Sequence, residues 1–178
     1  MQGLIESNKS KLEWIKMKKF LFVFVLAVVL NTLLVGCSPK VVGNVLVTVK
    51  GKIAGGTYLL DQAAFDKNST EETYNDPWMG NGLVCKGIML KDLIVMVKAS
   101  TDAKTISLIT SIGKVIDIPK DLGTRYDIML ARWEGGVLLD ERNGGPVKIV
   151  YPQDAIASRD PTFTNENWAW WIVSIEFK

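Results

Sequence analysis

The groups best suited to chemistry are two cysteines, Cys37 and Cys85, in a chain of 178 residues that contains no histidine. A thiolate is a strong nucleophile and a soft metal ligand, whereas a protonated, buried cysteine behaves as a small hydrophobe. Cys85, in the stretch NGLVCKGIMLKDLI, is open to all three readings: metal ligand, nucleophile or buried filler. Without histidine there is no Ser/His/Asp triad, no Cys/His dyad, and no histidine-bound zinc or haem. Chemistry falls to Asp, Glu, Lys, Arg, Tyr, Cys or a bound cofactor.

A second candidate is the segment 151–171, YPQDAIASRDPTFTNENWAWW, too long and polar for a hairpin and too aromatic for a plain linker. Loops on a rigid scaffold often carry binding. Here Tyr151, Trp168 and Trp170 would supply flat faces, with Asp154, Arg159 and Asn167 as polar contacts for a small ligand. In the competing reading the aromatics are core and the charges pair with one another. Trp78, after Pro77, is a further loop aromatic near the same edge. The acidic set Asp66, Glu71, Glu72 and Asp76 fits no calcium loop and reads as a solvated face. Asp127, Asp140 and Glu141 stand at strand ends, where surface charge is ordinary, so no acid/base pair can be placed.

The basic and acidic totals, 21 and 19, give +2, but residues 1–36 hold five lysines and two glutamates, leaving the remainder at −1. Such a balance offers no electrostatic footprint for nucleic acid. Residues 17–36 begin Met-Lys-Lys and continue as FLFVFVLAVVLNTLLVG, a short positive region and an apolar run too abruptly ended for a membrane span. The run stops at Leu34-Val35-Gly36-Cys37, which resembles the bacterial lipoprotein cleavage box. That resemblance implies cleavage before Cys37, acylation of its sulfur and amino group, and a lipid-anchored domain facing the periplasm or cell exterior. An ordinary signal peptide or a single anchoring helix is the alternative. Residues 1–16 read as an upstream extension, 37–43 as a tether and 44–178 as the domain. With Cys37 acylated, Cys85 has no disulfide partner.

The elements that must position these groups follow from periodicity. Val45, Val47 and Val49 alternate within a first strand over 41–52. Residues 61–76 read as polar and irregular, with at most a helical turn at 61–65, and the glycines at 80 and 82 mark a loop. Leu90, Leu93, Ile94 and Val97 at i, i+3, i+4 and i+7 predict one main helix over about 87–100. Strands are expected at 105–110, 114–118, 128–133, 147–151 and 171–177, with reversals at 135–136 and 143–146. Many strands, one substantial helix and no βαβ rhythm predict an α+β fold with mixed or mainly antiparallel sheets.

From Pro77 onward the ordered segments Gly87-Ile88-Met89-Leu90-Lys91-Asp92-Leu93, Arg125-Tyr126-Asp127, Trp133-Glu134-Gly135-Gly136-Val137-Leu138, Gly145-Pro146-Val147-Lys148-Ile149-Val150-Tyr151-Pro152 and Trp171 with Ser174-Ile175-Glu176 resemble the molybdopterin-binding domain of the sulfite oxidase family, in its short bacterial form. The resemblance implies that fold and, in full-length relatives, a pterin cofactor whose molybdenum is held by one protein cysteine. This chain departs from it twice. The region matching the ligand cysteine, residues 65–76, has none, and Cys85 is out of register for that role. Near the end, Trp170 stands where the family has a lysine, and the close-approach glycines are missing, so a pterin phosphate loses its usual donors. The expected role is therefore a small-molecule or partner-binding module, with molybdopterin possible by resemblance only. An active molybdopterin-dependent oxidoreductase passing electrons to an envelope carrier, and a structural lipoprotein without ligand, are the alternatives.

Overall fold

The computed structural model describes residues 44–178. The segments expected to be an upstream extension, a signal peptide, an acylation site at Cys37 and a tether lie outside the described residues. Along the chain run β1 (Val45–Gly51), β2 (Thr57–Asp61), α1 (Gln62–Asn68), β3 (Thr70–Asp76), β4 (Gly80–Met89), α2 (Leu90–Met96), β5 (Thr105–Thr110) and β6 (Val115–Pro119). They are followed by α3 (Lys120–Arg125), β7 (Met129–Glu134), β8 (Val137–Leu138), β9 (Lys148–Val150), α4 (Gln153–Ala157) and β10 (Ile172–Phe177).

The valines that alternate in β1 point Val47 and Val49 inward, and the same period buries Ile106 and Leu108 on β5 and Ile116 and Ile118 on β6. These strands form one sheet in the order β2-β1-β10-β5-β6, with β1 parallel to β10 and the other neighbours antiparallel. The second sheet, β3-β4-β7-β8 with β9 also on β7, is wholly antiparallel. The α+β architecture of mixed and antiparallel sheets is as the sequence predicts.

The helix expectation needs correction. Gly87, Ile88 and Met89 do not open a helix; they continue β4 and pair with Ala131, Leu130 and Met129. A Cβ at Gly87 would overlap the Leu130 carbonyl oxygen and lie 2.7 Å from the Ala131 Cα, so glycine there lets two backbones approach. Helix α2 starts at Leu90, buries Leu90 and Leu93 as the periodicity requires, and stops at Met96. Lys98 adopts a left-handed φ of 49°, its N–H donates to Val95 O and that of Ala99 to Ile94 O, the Schellman pattern that ends a helix.

Residues 61–76 are likewise ordered. Asp61 accepts from the Ala64 N–H at 2.9 Å and starts α1, and the polar run 70–76 forms the edge strand β3. Its charges face solvent because an edge strand has one free side, except at Asp76, which is buried. The solvated acidic face predicted for Asp66, Glu71, Glu72 and Asp76 therefore fails at Asp76.

One irregularity shapes the second sheet. Lys86 pairs with Trp133 and Gly87 with Ala131, so Arg132 is an extra residue in β7. A bulge shifts the side-chain parity by one. It places Glu134 on the face shared by Cys85, Gly87, Ala131 and Ala131's other partner, Lys148. Without the bulge Glu134 would point away from Lys148.

Candidate functional site: a buried ion triad beneath a tryptophan-walled cavity

Lys148, at the start of β9, is fully buried. Its ammonium lies 2.8 Å from Asp76 Oδ2 and also bonds Glu134 Oε1. A buried charge survives only when paired and hydrogen-bonded, and this set meets that condition. The other Asp76 oxygen accepts the backbone N–H groups of Trp78 and Met79 at 2.8 and 2.9 Å. The triad thus fixes the turn that carries Trp78. The same ammonium stands 4.9 Å from the centre of the Trp170 ring, a cation–π contact that seats a second tryptophan.

Above this base the indoles gather. Trp78 packs edge-to-face on Trp168 and Trp170 with centroids 5.7 and 6.0 Å apart, and Trp170 lies 5.9 Å from Trp171. Four tryptophans wall a cavity of about 420 Å³. The turn between β5 and β6 completes it with Thr110, Ile112 and Lys114, and Asn165 closes the remaining side. Trp78 and Ile112 are 53% and 76% exposed, so the cavity opens to solvent past apolar lips. Trp171 has a left-handed φ of 57°, uncommon for so bulky a residue. It is held by its N–H to Gly144 O at 2.7 Å and its indole Nε1–H to Glu141 O at 2.8 Å.

The structure brings together three of the predicted ligand residues, Trp78, Trp168 and Trp170. It leaves the other four outside the cavity wall. Tyr151 is buried beneath Trp168, 5.4 Å between centroids, and its hydroxyl donates to Asn167 O. Asn167 itself staples the loop, donating to Pro161 O and Thr162 O at 3.2 and 3.0 Å. Asp154 bonds the Ala155 N–H at the start of α4, and Arg159 is exposed with a left-handed φ of 59°. Sequence reasoning missed Thr110, Ile112, Lys114, Asn165, Trp171 and the triad. For the triad a signal existed: Lys148 interrupts the apolar run Val147, Ile149, Val150, where a lone lysine signals burial with a partner.

Cys85 sits in the middle of β4, opposite Glu72 and Glu134, with no exposed surface. Burial first, then the negative field of Glu134 and Asp76, pushes its thiol up to about 11, against an opposing pull from Lys148. A group held protonated by the fold stabilises it fully below its unfolded pKa and loses that contribution as pH climbs through its folded value. Stability is therefore expected to fall as pH rises from about 9 through 11, a trend reinforced by the phenols of Tyr74 and Tyr151, which burial also pushes upward. In a Cys37→Ser chain, Cys85 should stay silent to a thiol reagent at neutral pH and react only on unfolding. Rapid labelling of the native chain would refute its enclosure.

These observations also test molybdopterin. The resemblance implies a molybdenum held by a protein thiolate as well as by the pterin, and Cys85 is neither ionised near neutrality nor accessible. The pterin phosphate needs cations or free amides, and the cavity wall carries one cation, Lys114. The residues present do not fit the cofactor in the manner the resemblance implies.

Fold and site together define an α+β domain of sulfite-oxidase-like architecture that carries a cavity walled by tryptophan. No protein-family model and no curated protein matches the sequence. Among solved structures the chain is similar to the crystal structure of the sulfane dehydrogenase SoxCD from Paracoccus pantotrophus, with a TM-score of 0.57 and 13% identity. The match covers 75% of this chain and 38% of that one, so the chain spans less than half the length of that enzyme. The likeness is one of fold.

Proposed function

We propose that this domain is a small-molecule binding module, tethered to a bacterial envelope through an acylated Cys37, that captures a planar ligand between its indoles. The observation that carries this reading is the cavity of about 420 Å³ walled by Trp78, Trp168, Trp170 and Trp171 and seated on the buried Asp76–Lys148–Glu134 triad. A concave, mostly apolar site with a few polar groups is the usual form of a ligand pocket. A triad that fixes the Trp78 turn from below also preorganises the wall, which lowers the ordering cost of binding.

Replacing Trp78 with alanine should weaken any planar ligand at least about tenfold while shifting the melting temperature by only a few degrees, because the ring is half exposed and its backbone bonds to Asp76 persist. Tryptophan fluorescence across a metabolite panel supplies the binding readout. If no planar compound perturbs the emission, the module reading fails.

The fold likeness to a dehydrogenase supports a second reading, an oxidoreductase that passes electrons to an envelope carrier. Elemental analysis separates the two. About one molybdenum per chain would favour the oxidoreductase and overturn the reading that this domain works without the metal.

A further inference from the structure

The charged and polar groups on the cavity wall narrow the ligand class, and this step rests on the cavity being the binding site. Among the residues that line it there is no carboxylate. Thr110 is spent locally: its hydroxyl accepts the Lys114 N–H at 3.0 Å and donates to Lys114 O. Two groups retain bonding capacity. The Lys114 ammonium has three protons, of which one is given to Glu166 O at 2.5 Å, and no carboxylate of the described residues lies within ion-pair distance. The Asn165 side-chain amide has no hydrogen bond among the described residues.

Tryptophan walls alone would equally suit a flat cation, since indole faces attract ammonium groups. Here that use is already taken at Trp170, whose ring faces the Lys148 ammonium at 4.9 Å. An incoming cation would meet Lys114 at the wall and find one indole engaged. A planar anion meets the reverse: indole surface for its ring, an uncompensated ammonium for its charge and an amide N–H₂ beside it. Lys114 and Asn165 are both exposed, so the pair would form at the cavity mouth beside the apolar lips and stay open to screening by salt.

We infer that the cavity selects planar aromatic carboxylates, the ring held among the indoles and the carboxylate on Lys114 Nζ and the Asn165 amide. Three probes of one ring size test this on the full-length chain in detergent: 2-naphthoate, neutral 2-naphthamide and cationic 2-naphthylmethylammonium, measured by calorimetry. The naphthoate should bind about three- to fivefold more tightly than the amide, as expected for an ion pair at an exposed rim, and the ammonium probe most weakly. Lys114→Met should remove the naphthoate advantage and leave amide affinity unchanged, and raising the salt concentration should weaken the naphthoate alone.

Equal affinity for the three probes, preference for the ammonium probe, or a Lys114→Met chain that still favours naphthoate would each overturn the inference while leaving the cavity a binding site. Failure of all three to bind would overturn the inference together with the binding-module reading.

Discussion

Lys148→Met should destabilise the domain by about 3–5 kcal/mol, the cost of stranding buried charge. The ammonium has no solvent to be replaced by, and its loss leaves Asp76 and Glu134, both largely buried, sharing an enclosed space. Methionine fills the volume but donates nothing. Asp76 keeps the Trp78 and Met79 amides, whereas the Glu134 carboxylate has no other hydrogen-bond donor among the described residues. The combination of Lys148→Met with Asp76→Asn and Glu134→Gln should recover most of the loss, because no net charge then remains to be desolvated. Urea denaturation of the single and triple variants measures both. A single-variant loss below about 1 kcal/mol, the range of exposed ion pairs, would mean that water reaches the triad. Ligand binding should fall in the single variant as well, since Trp170 loses its cation and Asp76, which anchors the Trp78 turn, loses the ammonium that holds it in place.

Gly87→Ala is the second large effect. Its Cβ would collide with the Leu130 carbonyl oxygen and the Ala131 Cα, which are backbone atoms of the neighbouring central strand and cannot swing aside. Relief requires β4 and β7 to separate at the bulge that aims Glu134 at Lys148. A loss of about 3 kcal/mol or more, or failure to accumulate folded protein, is expected. Gly82→Ala is the contrast: its φ of 69° makes alanine strained, but nothing stands within 4 Å of the added atom. It should cost about 1–2 kcal/mol, the left-handed penalty alone. Comparable melting temperatures for the two variants would contradict the close approach of the strands.

What was readable in the sequence follows from where local pattern decides the outcome. Strands β5, β6, β7, β9 and β10 lie within one or two residues of their predicted bounds because short apolar runs, alternating as in β6 or continuous as in β7 and β9, bounded by turn residues report a strand directly. Leu90 and Leu93 reveal the inner helix face, but not that Gly87 belongs to a strand, since that depends on how near β7 comes. β3 escaped notice because TEETYND has little apolar rhythm, and an edge strand requires little.

The site divides in the same way. Trp168 and Trp170 announce themselves by density of aromatics, and Trp78 by its place after Pro77. Tyr151 resembles them in sequence yet is core, continuing the buried run of β9. Ile112 and Lys114 reach the cavity from a turn far in sequence both from Trp78 and from the cluster Trp168, Trp170 and Trp171, which no local pattern reports. The meeting of Asp76, Glu134 and Lys148 depends on a bulge at Arg132, a matter of strand pairing.

The position of β10 sets an order of events in folding. It is the last strand in sequence, yet it lies between β1 and β5, and the Ser174 hydroxyl bonds Thr48 O across 126 residues. Joining points so far apart costs about 4 kcal/mol of chain entropy before any contact repays it. The hairpins β1–β2, β3–β4 and β5–β6 can assemble early, but the first sheet remains in two halves until β10 docks. The folding rate should be governed by that closure and fall in the millisecond-to-second range of nonlocal β topologies. Proteolytic nicking near Trp171 would release β10 and part β1 from β5, so the cavity's strained wall adjoins the strand on which the whole sheet depends.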